Sequence, residues 1–421
     1  MKSPSFYMRA IDKYLQKLTP SIIQKKPHPS TELIVTIPAF NESETIKSLE
    51  SLLACSTDNF NVEILVGVNY SELASENEKF FNQTSFSILE HFASAHSQLS
   101  IDIIPVFLPD QPIKKAGVGW ARKLLMDEAF RRFLSLGKED GIITGFDADT
   151  LCDVNYLNAI YSFFNLETQA KACSIRFEHE MEGEKYPLEY YKAVVLYELH
   201  LRYYIEGLKY TGTPFAFQTV GSSFAVKAKY YAQVNGMTPH KAGEDFYFLQ
   251  KMMDLGGFYQ LNTTCLHPSS RISNRVGFGT GPSVSQISEE GVKWTFNWKT
   301  FVMIQQFFGT VPDFYKGISP SGVQFPIEFV NYLLSINADN VVAKMRIQHK
   351  SEQAFKKAFM QWFNGFQILK VLNLMKQTQG YEDVNVVESV QKIGIEEAFN
   401  NPVEALKKLR EKDSRVPYYT V

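Results

Sequence analysis

Short apolar runs rich in β-branched residues alternate with helical patterns through the first third of this chain. The predicted strands cover residues 33–37, 62–68, 101–107 and 141–146, and the predicted helices cover residues 44–53 and 119–136. Strands and helices of these lengths in this order are typical of a mostly parallel sheet with crossover helices. We therefore predict an α/β fold, and folds of this kind bind ligands at the carboxyl ends of their strands.

The pattern changes from Trp294 onward, where apolar residues recur at helical spacing between polar or proline breaks. This change predicts a C-terminal helical domain, whose aromatic residues we interpret as core, with stacking on a bound ligand as the alternative. The predicted organisation is an N-terminal arm and linker at 1–29, an α/β domain at 30–270, a glycine- and arginine-rich loop at 271–293 and the helical domain at 294–421.

The charge balance gives no indication of a nucleic-acid partner, because the net charge is −2 and the pI is near 6.5. No segment reaches the roughly 18 uninterrupted apolar residues of a membrane span, and the N-terminus lacks the core of a signal peptide. We therefore expect a cytoplasmic protein, with peripheral contact at the inner face of the membrane as an open alternative. The four cysteines lie far apart, which favours buried free thiols over a zinc site.

Two aspartates, Asp147 and Asp149, flank a small residue directly after the predicted strand at 141–146. Paired hard oxygen ligands at a strand end are one way in which proteins hold a divalent cation against a diphosphate. The same triplet also occurs as a solvated turn or a helix cap. Its place at the carboxyl end of a strand favours the site, so we predict that the pair binds Mn²⁺ or Mg²⁺.

Two loops place backbone donors at the start of a helix. The segment 38–42 (Pro-Ala-Phe-Asn-Glu) follows the first strand and can meet a nucleotide there, with an ordinary helix cap as the alternative. The segment 117–122 (Gly-Val-Gly-Trp-Ala-Arg) combines permissive glycines with a basic side chain, which lets backbone approach a diphosphate closely. Its alternative is a flexible loop with solvated side chains.

Two further motifs lie later in the chain. Gly221 and Ser222 form a tight turn before a strand pattern, so their side chains face a sugar or simply pack. Glu244 and Asp245 begin a helix with one apolar face. Carboxylates in a first helical turn are stabilised by the helix dipole alone, but an ionised carboxylate there can also accept a proton from an acceptor hydroxyl.

In order and spacing, the motifs at 38–42, 117–122, 147–149, 221–223 and 243–245 resemble the GT-A nucleotide-sugar glycosyltransferases of family 2. The resemblance covers about residues 31–270. It implies a GT-A, Rossmann-like fold in which segment 38–42 lines the nucleoside pocket. It also implies that Asp149 binds the metal directly, that Asp147 faces the ribose or a metal-bound water, and that Asp245 is the base of an inverting reaction.

The resemblance has one departure and one addition. Family members commonly have an aspartate after the second strand, whereas this chain has Asn69, which can bond a nucleobase but carries no charge. Many GT-A enzymes supply a third metal ligand from a histidine after the Glu-Asp helix, and His267 has similar spacing. A structural or surface histidine is the alternative for His267.

Two arginines, Arg271 and Arg275, stand in a segment that is rich in glycine. This composition predicts a mobile loop that closes on phosphate oxygens, with a surface loop carrying solvated arginines as the alternative. The chain lacks a Gln-x-x-Arg-Trp box, so it does not resemble the processive polysaccharide synthases.

The predicted reaction is metal-dependent transfer of a sugar from a nucleoside diphosphate sugar to a hydroxyl of a carbohydrate, lipid-linked or small-molecule acceptor, with inversion. The alternatives are a retaining transferase of the type that makes mannosylglycerate or glucosyl-3-phosphoglycerate, and an inactive nucleotide- or carbohydrate-binding module. The residues predicted to bind the donor are Pro38, Ala39, Phe40, Glu42, Asn69, Gly117, Arg122, Asp147, Gly221, Ser222, Arg271 and Arg275. The predicted catalytic residues are Asp245 and Glu244, and the predicted metal ligands are Asp149, Asp147 and His267.

Overall fold

The computed structural model of the chain describes residues 4–57, 59–96, 100–113, 116–239, 243–272, 280–395 and 401–420. Their strands are β1 (Thr31–Ala39), β2 (Asn61–Ser71), β3 (Ile101–Gln111), β4 (Ile142–Gly145), β5 (Thr150–Cys152), β6 (Ala172–Phe177), β7 (Phe224–Lys227), β8 (Phe258–Pro268), β9 (Trp294–Thr295), β10 (Val384–Asn385) and β11 (Tyr418–Tyr419). Their helices are α1 (Pro4–Leu15), α2 (Thr45–Leu53), α3 (Glu76–Ala95), α4 (Val118–Ser135), α5 (Tyr156–Leu166), α6 (Leu188–Thr211), α7 (Ala228–Gln233), α8 (Glu244–Asp254), α9 (Thr280–Glu290), α10 (Trp298–Gly309), α11 (Val311–Lys316), α12 (Ile327–Ser335), α13 (Ala338–Gln348), α14 (Glu352–Trp362), α15 (Gly365–Met375), α16 (Val386–Ser389) and α17 (Pro402–Ser414). Two 3₁₀ helices span Pro320–Gly322 and Val390–Ile393.

The main sheet of the described residues has nine strands in the order β11-β8-β6-β7-β4-β1-β2-β3, with β5 paired to β8. Strands β3, β2, β1 and β4 are parallel, whereas β7 is antiparallel to both β4 and β6. The predicted α/β class is confirmed, and the sheet is mixed. Because β1 to β4 are parallel, their carboxyl ends lie at one edge of the sheet, which we name the carboxyl edge.

The central strands are apolar throughout because both of their faces are covered. Ile34 and Val35 of β1 point to opposite faces of the sheet, and both are fully buried. Helix α4 packs against β1 and β2. A continuous apolar run of this kind is what a parallel strand under crossover helices requires, so the run in the sequence predicted the strand correctly.

The N-terminal segment packs on the sheet region, in contrast to the predicted arm. Tyr14 of α1 is buried, and its hydroxyl donates a hydrogen bond to Asp127 of α4 at 2.5 Å. Gly236 makes room for this hydroxyl, since a Cβ there would lie 1.9 Å from it. Further along, the backbone N–H of Ile22 donates to Glu128 of α4 at 3.2 Å.

By internal contacts the chain divides into two units. Unit 1 comprises residues 1–180, 219–282 and 413–420, and unit 2 comprises residues 181–218 and 283–412. Helix α6 therefore belongs to unit 2, outside the predicted α/β domain. The segment that carries β11 belongs to unit 1, outside the predicted helical domain, because β11 pairs with β8.

The predicted loop at 271–293 contains helix α9. Val284 and Ile287 lie one helical turn apart in α9, and both are buried. Buried apolar residues at this spacing stabilise a helix. The glycine content of the segment had led to the prediction of a loop instead.

Unit 2 has its own apolar core, built from α6 and the helices that follow α9. Phe363 is fully buried in this core, and Trp298 and Trp362 pack against it, as the interpretation of the aromatic residues as core predicted. Trp294, which the same interpretation included, is 51% exposed, so it is not a core residue. None of the helices in the described part of the chain is both long and apolar enough to cross a membrane.

Candidate active site

The turn after β1 is held by polar contacts. Asn41 has a φ of 48°, a conformation that asparagine tolerates, and exchanges hydrogen bonds of 3.0 and 2.6 Å with Asn82 of α3. The buried Glu42 carboxylate accepts a bond of 2.9 Å from the backbone N–H of Glu44. Glu42 is therefore fixed at the carboxyl edge and is shielded from solvent.

The turn after β4 carries the two predicted aspartates. Ser48 of α2 donates a hydrogen bond to the Ala148 carbonyl at 3.0 Å, and the Thr150 N–H donates to the Asp147 carbonyl at 3.1 Å. The side chains of Asp147 and Asp149 are 38% and 20% exposed. The backbone of the turn is thus fixed while both carboxylates keep access to solvent.

Arg122 of α4 joins two acidic motifs that are far apart in the sequence. Its Nη1 donates to Glu244 Oε1 at 2.5 Å, and its Nη2 donates to Asp147 Oδ1 at 2.6 Å. Burial alone would lower the pKa of Arg122, but the charges of Asp147 and Glu244 outweigh burial, so the pKa is raised. The side chain is only 3% exposed, so this arginine is not presented on an open loop as its predicted contact with the donor implied.

Gly117 and Gly221, both predicted to bind the donor, occupy positions that require glycine for different structural reasons. Gly117 precedes α4 with a φ of 148°, which residues with a side chain rarely adopt. Gly221 packs against Arg122, because a Cβ at Gly221 would lie 2.4 Å from the Nη1 of the arginine. Ser222 beside it is buried. Contacts of Gly221 and Ser222 with a donor stay predictions.

Glu244 and Asp245 begin helix α8, directly after Gly243 with a φ of 73°. Glu244 is buried and Asp245 is half-buried, and Asp245 Oδ1 accepts a bond of 2.7 Å from the Phe246 N–H. Burial and then the charge of Glu244 raise the pKa of Asp245 to about 7, while the charge of Arg122 opposes them. A carboxyl group with a pKa near neutrality is suited to accepting a proton at physiological pH.

Arg271 joins the turn after β1 to the turn after β4. Its Nη2 donates to Glu42 and, at 2.7 Å, to Asp149, and its Nε donates to Asp149 at 3.1 Å. Burial alone would lower the pKa of Arg271, but the charges of Asp149 and Glu42 raise it above its usual value. Arg271 thus provides a fixed positive charge at the carboxyl edge. Arg275, the second predicted arginine, lies outside the described residues.

His267 lies in β8 opposite Leu151 of β5, and its Nε2 is 2.9 Å from Asp153 Oδ1. It therefore contacts Asp153, which no sequence motif marks, and not the predicted ligand pair. Among the described residues, no group of three or more His, Cys, Asp or Glu side chains is placed to hold a metal ion. Because Asp147 and Asp149 are both bonded to arginines, the donor set as placed does not fit the predicted three-ligand metal site.

The residues predicted to line the nucleoside pocket lie at the same edge of the sheet. Ala39 at the end of β1 pairs with Val68 of β2, so Asn69 lies one residue beyond it. Pro38 is also in β1, and the half-buried Phe40 follows the strand. The parallel pairing of β1 and β2 brings these side chains to one end of two adjacent strands, as the sequence predicted, and their contact with a nucleoside stays a prediction.

No family model and no curated protein sequence matches this chain. Among solved structures, the chain is similar to S. aureus TarS 1–349 in complex with UDP-GlcNAc, at 12% identity over 91% of each chain with a TM-score of 0.41. It is also similar to the mannosyltransferase PcManGT from Pyrobaculum calidifontis in complex with GDP-Man and Mn²⁺, at 13% identity over 97% of this chain and 91% of that one with a TM-score of 0.35. For the apo form of mouse xyloside xylosyltransferase 1 the identity is 13% over 55% of this chain and 85% of that one, and the TM-score is 0.30. TM-scores this low do not establish a shared fold.

Proposed function

We propose that this chain is a GT-A glycosyltransferase of the family 2 type, which transfers a sugar from a nucleoside diphosphate sugar to an acceptor hydroxyl. The observation that carries the proposal is the convergence of separate acidic motifs at the carboxyl edge. Arg271 links Glu42 to Asp149, and a second arginine links Asp147 to Glu244. The carboxyl ends of strands are where α/β sheets bind nucleotides, so the converging side chains are in the right place for a donor.

Asp245 is the proposed catalytic base. It accepts the proton of the acceptor hydroxyl as that oxygen forms a bond to the anomeric carbon of the donor sugar. The bond from the anomeric carbon to the diphosphate breaks, and the nucleoside diphosphate leaves with the bonding electrons. A single displacement of this kind inverts the anomeric configuration. The pKa of about 7 supports this role, because a base is most effective when its pKa lies near the working pH.

Arg271 is the proposed partner of the leaving diphosphate. Negative charge grows on the diphosphate as the bond to the sugar breaks, and a positive charge already in place stabilises it. Arg271 reaches phosphate oxygens by exchanging one of its carboxylate contacts for them. Segment 38–42 and Asn69 hold the nucleoside, and the half-exposed carboxylate of Asp147 meets the ribose.

The predicted Mn²⁺ or Mg²⁺ ion stays a prediction, with Asp149 as its ligand. Arg271 occupies the Asp149 carboxylate in this structure, so a metal ion gains that carboxylate only when the arginine moves. Titration of Mn²⁺ into the protein, with and without a nucleoside diphosphate, tests whether the site binds it.

The experiment that tests the function is a donor panel. The purified chain is incubated with UDP-sugars and GDP-sugars, with Mn²⁺ or with EDTA, and release of the nucleoside diphosphate is measured. We expect release from one donor, accelerated by an acceptor from the carbohydrate, lipid-linked or small-molecule class. Proton NMR of the product then reads the anomeric configuration. A retained configuration would remove Asp245 as the base of a single displacement, and donor binding without any release would favour a binding module.

A further inference from the structure

Arg122 is the side chain that the turn after β4 and the start of α8 share. It is buried, and its two terminal nitrogens donate to two different carboxylates: Nη1 to Glu244 and Nη2 to Asp147. A third segment closes on it, since Gly221 has no room for a Cβ beside the guanidinium. The Nε of Arg122 finds no hydrogen-bond partner in the part of the chain that the structure describes. Arg122 therefore connects these segments through Nη1 and Nη2, although its buried Nε makes no hydrogen bond to the described residues.

We propose that Arg122 is a positioning residue of the transfer reaction, which fixes the turn that carries Asp147 and the helix start that carries Asp245 in one geometry. The proposal rests on the function proposed above. Asp147 meets the donor, and Asp245 receives the proton of the acceptor, so their relative position decides whether donor and acceptor are aligned. Arg122 acts on this alignment through Asp147 and Glu244 and does not contact the substrate.

The chemistry of arginine suits this role better than that of lysine. The guanidinium is a planar fork whose nitrogens are held at a fixed separation, so two carboxylates bonded to it have a fixed separation as well. A lysine in the same place presents one compact ammonium group, which keeps the positive charge but does not set the two carboxylates in fixed directions. Without any positive charge between them, the two carboxylates would repel each other, and the turn and the helix start would move apart.

Arg132 provides a matched control on the same helix. It is also 3% exposed, and it donates to Glu63 through Nε at 2.6 Å and through Nη2 at 2.9 Å. Arg122→Lys and Arg132→Lys each remove a buried two-nitrogen ion pair, so we expect a similar decrease in thermal stability from both. Only Arg122→Lys should lower kcat, by about 100-fold, because small displacements of reacting groups have effects of this size.

Gly221→Ala displaces the Arg122 guanidinium without removing a charge. This variant therefore tests the proposal if Arg122→Lys does not fold. The added methyl group would lie 2.4 Å from Nη1, so the guanidinium must shift. We expect a lower kcat here as well. A double-mutant cycle then tests the path through Glu244: Arg122→Gln with Glu244→Gln should lose no more activity than Arg122→Gln alone.

Four results would overturn the proposal. Either equal losses of kcat in Arg122→Lys and Arg132→Lys, or unchanged kcat in Arg122→Lys and Gly221→Ala, would show that Arg122 only stabilises the fold. Additive losses in the double-mutant cycle would show that Arg122 does not act through Glu244. A wild-type chain that releases no nucleoside diphosphate from any donor would overturn the proposed function itself, and this proposal with it.

Discussion

The two units of this chain each contain an arginine–carboxylate cluster, and the described contacts of the two clusters differ. In unit 2 the buried carboxylate of Glu198 accepts hydrogen bonds of 2.8 to 3.0 Å from two arginines, Arg202 and Arg410. At the carboxyl edge of unit 1 each arginine is shared by two carboxylates instead. Two of the carboxylates at this edge are partly exposed, Asp147 at 38% and Asp149 at 20%, whereas Glu42 and Glu244 are buried.

This difference distinguishes a structural cluster from a candidate site. An ion pair in a core needs good geometry and complete burial, and the Glu198 cluster has both. Carboxylates gathered at one edge repel each other, so folding alone gives little reason to collect them there. The partial exposure of Asp147 and Asp149, together with the pKa of about 7 for Asp245, favours a site that a substrate enters.

Asp245→Asn is expected to have the largest effect. The amide has nearly the same shape as the carboxylate but cannot accept the proton, so kcat should decrease by about 1000-fold or more while donor binding changes little. Single-turnover kinetics with the donor and acceptor found by the panel measures this. The matched control is Asp254→Asn, at the other end of α8, where burial raises the pKa of the carboxyl group to about 6. Turnover near wild type in Asp245→Asn would remove Asp245 as the base.

Glu198→Gln tests the other side of the comparison. Loss of the Glu198 charge leaves Arg202 and Arg410 bonded to an uncharged group, so we expect the free energy of unfolding to decrease by about 3 kcal/mol. Denaturant unfolding measures it, and KM for the donor in the folded protein should not change. Glu206→Gln on the same helix is the control, because its lysine partners are partly exposed and such pairs contribute about 1 kcal/mol or less. A change in donor KM without loss of stability would contradict the structural role of Glu198.

The positions of the strand ends could be predicted from the sequence, because the burial of an apolar run is a local property. Strand β1 and helix α8 lie within a few residues of their predicted bounds. The contacts that organise the candidate site could not be predicted. Arg271 and Glu42 are 229 residues apart, and only the folded sheet decides which carboxylate an arginine meets.

Gly221 and His267 illustrate the same limit at single residues. A glycine before a strand predicts a tight turn, but the need to make room for Arg122 is visible only in three dimensions. The spacing of His267 predicted a metal ligand, whereas the antiparallel pairing of β5 with β8 brings its ring to Asp153. In both cases the sequence defines the backbone context, and a distant element decides what the residue contacts.

The pH dependence of activity is the next largest expected effect. A base must be ionised to accept a proton, and the pKa of Asp245 is about 7. The value of kcat/KM should therefore decrease about tenfold for each pH unit below 7 and level off above it. Glu244→Gln removes the charge that raises this pKa together with burial, so the acidic limb should move to lower pH. An acidic limb that stays at the same pH in Glu244→Gln would show that another group controls it.

Arg271→Ala should have the smallest effect. Loss of one partly exposed charged contact with the diphosphate should lower kcat/KM for the donor about fivefold, which corresponds to about 1 kcal/mol. Arg176→Ala is the control, since its side chain is 19% exposed against 21% for Arg271, and it faces Glu178 at 3.6 Å.

Arg271→Ala also tests whether Asp149 binds the predicted metal ion. If Asp149 is a ligand, loss of Arg271 removes one competitor for its carboxylate, and titrated Mn²⁺ should bind more tightly to Arg271→Ala than to the wild type. Weaker or unchanged Mn²⁺ binding would show that Asp149 is not a ligand of the ion. An unchanged kcat/KM for the donor would show that Arg271 does not stabilise the diphosphate.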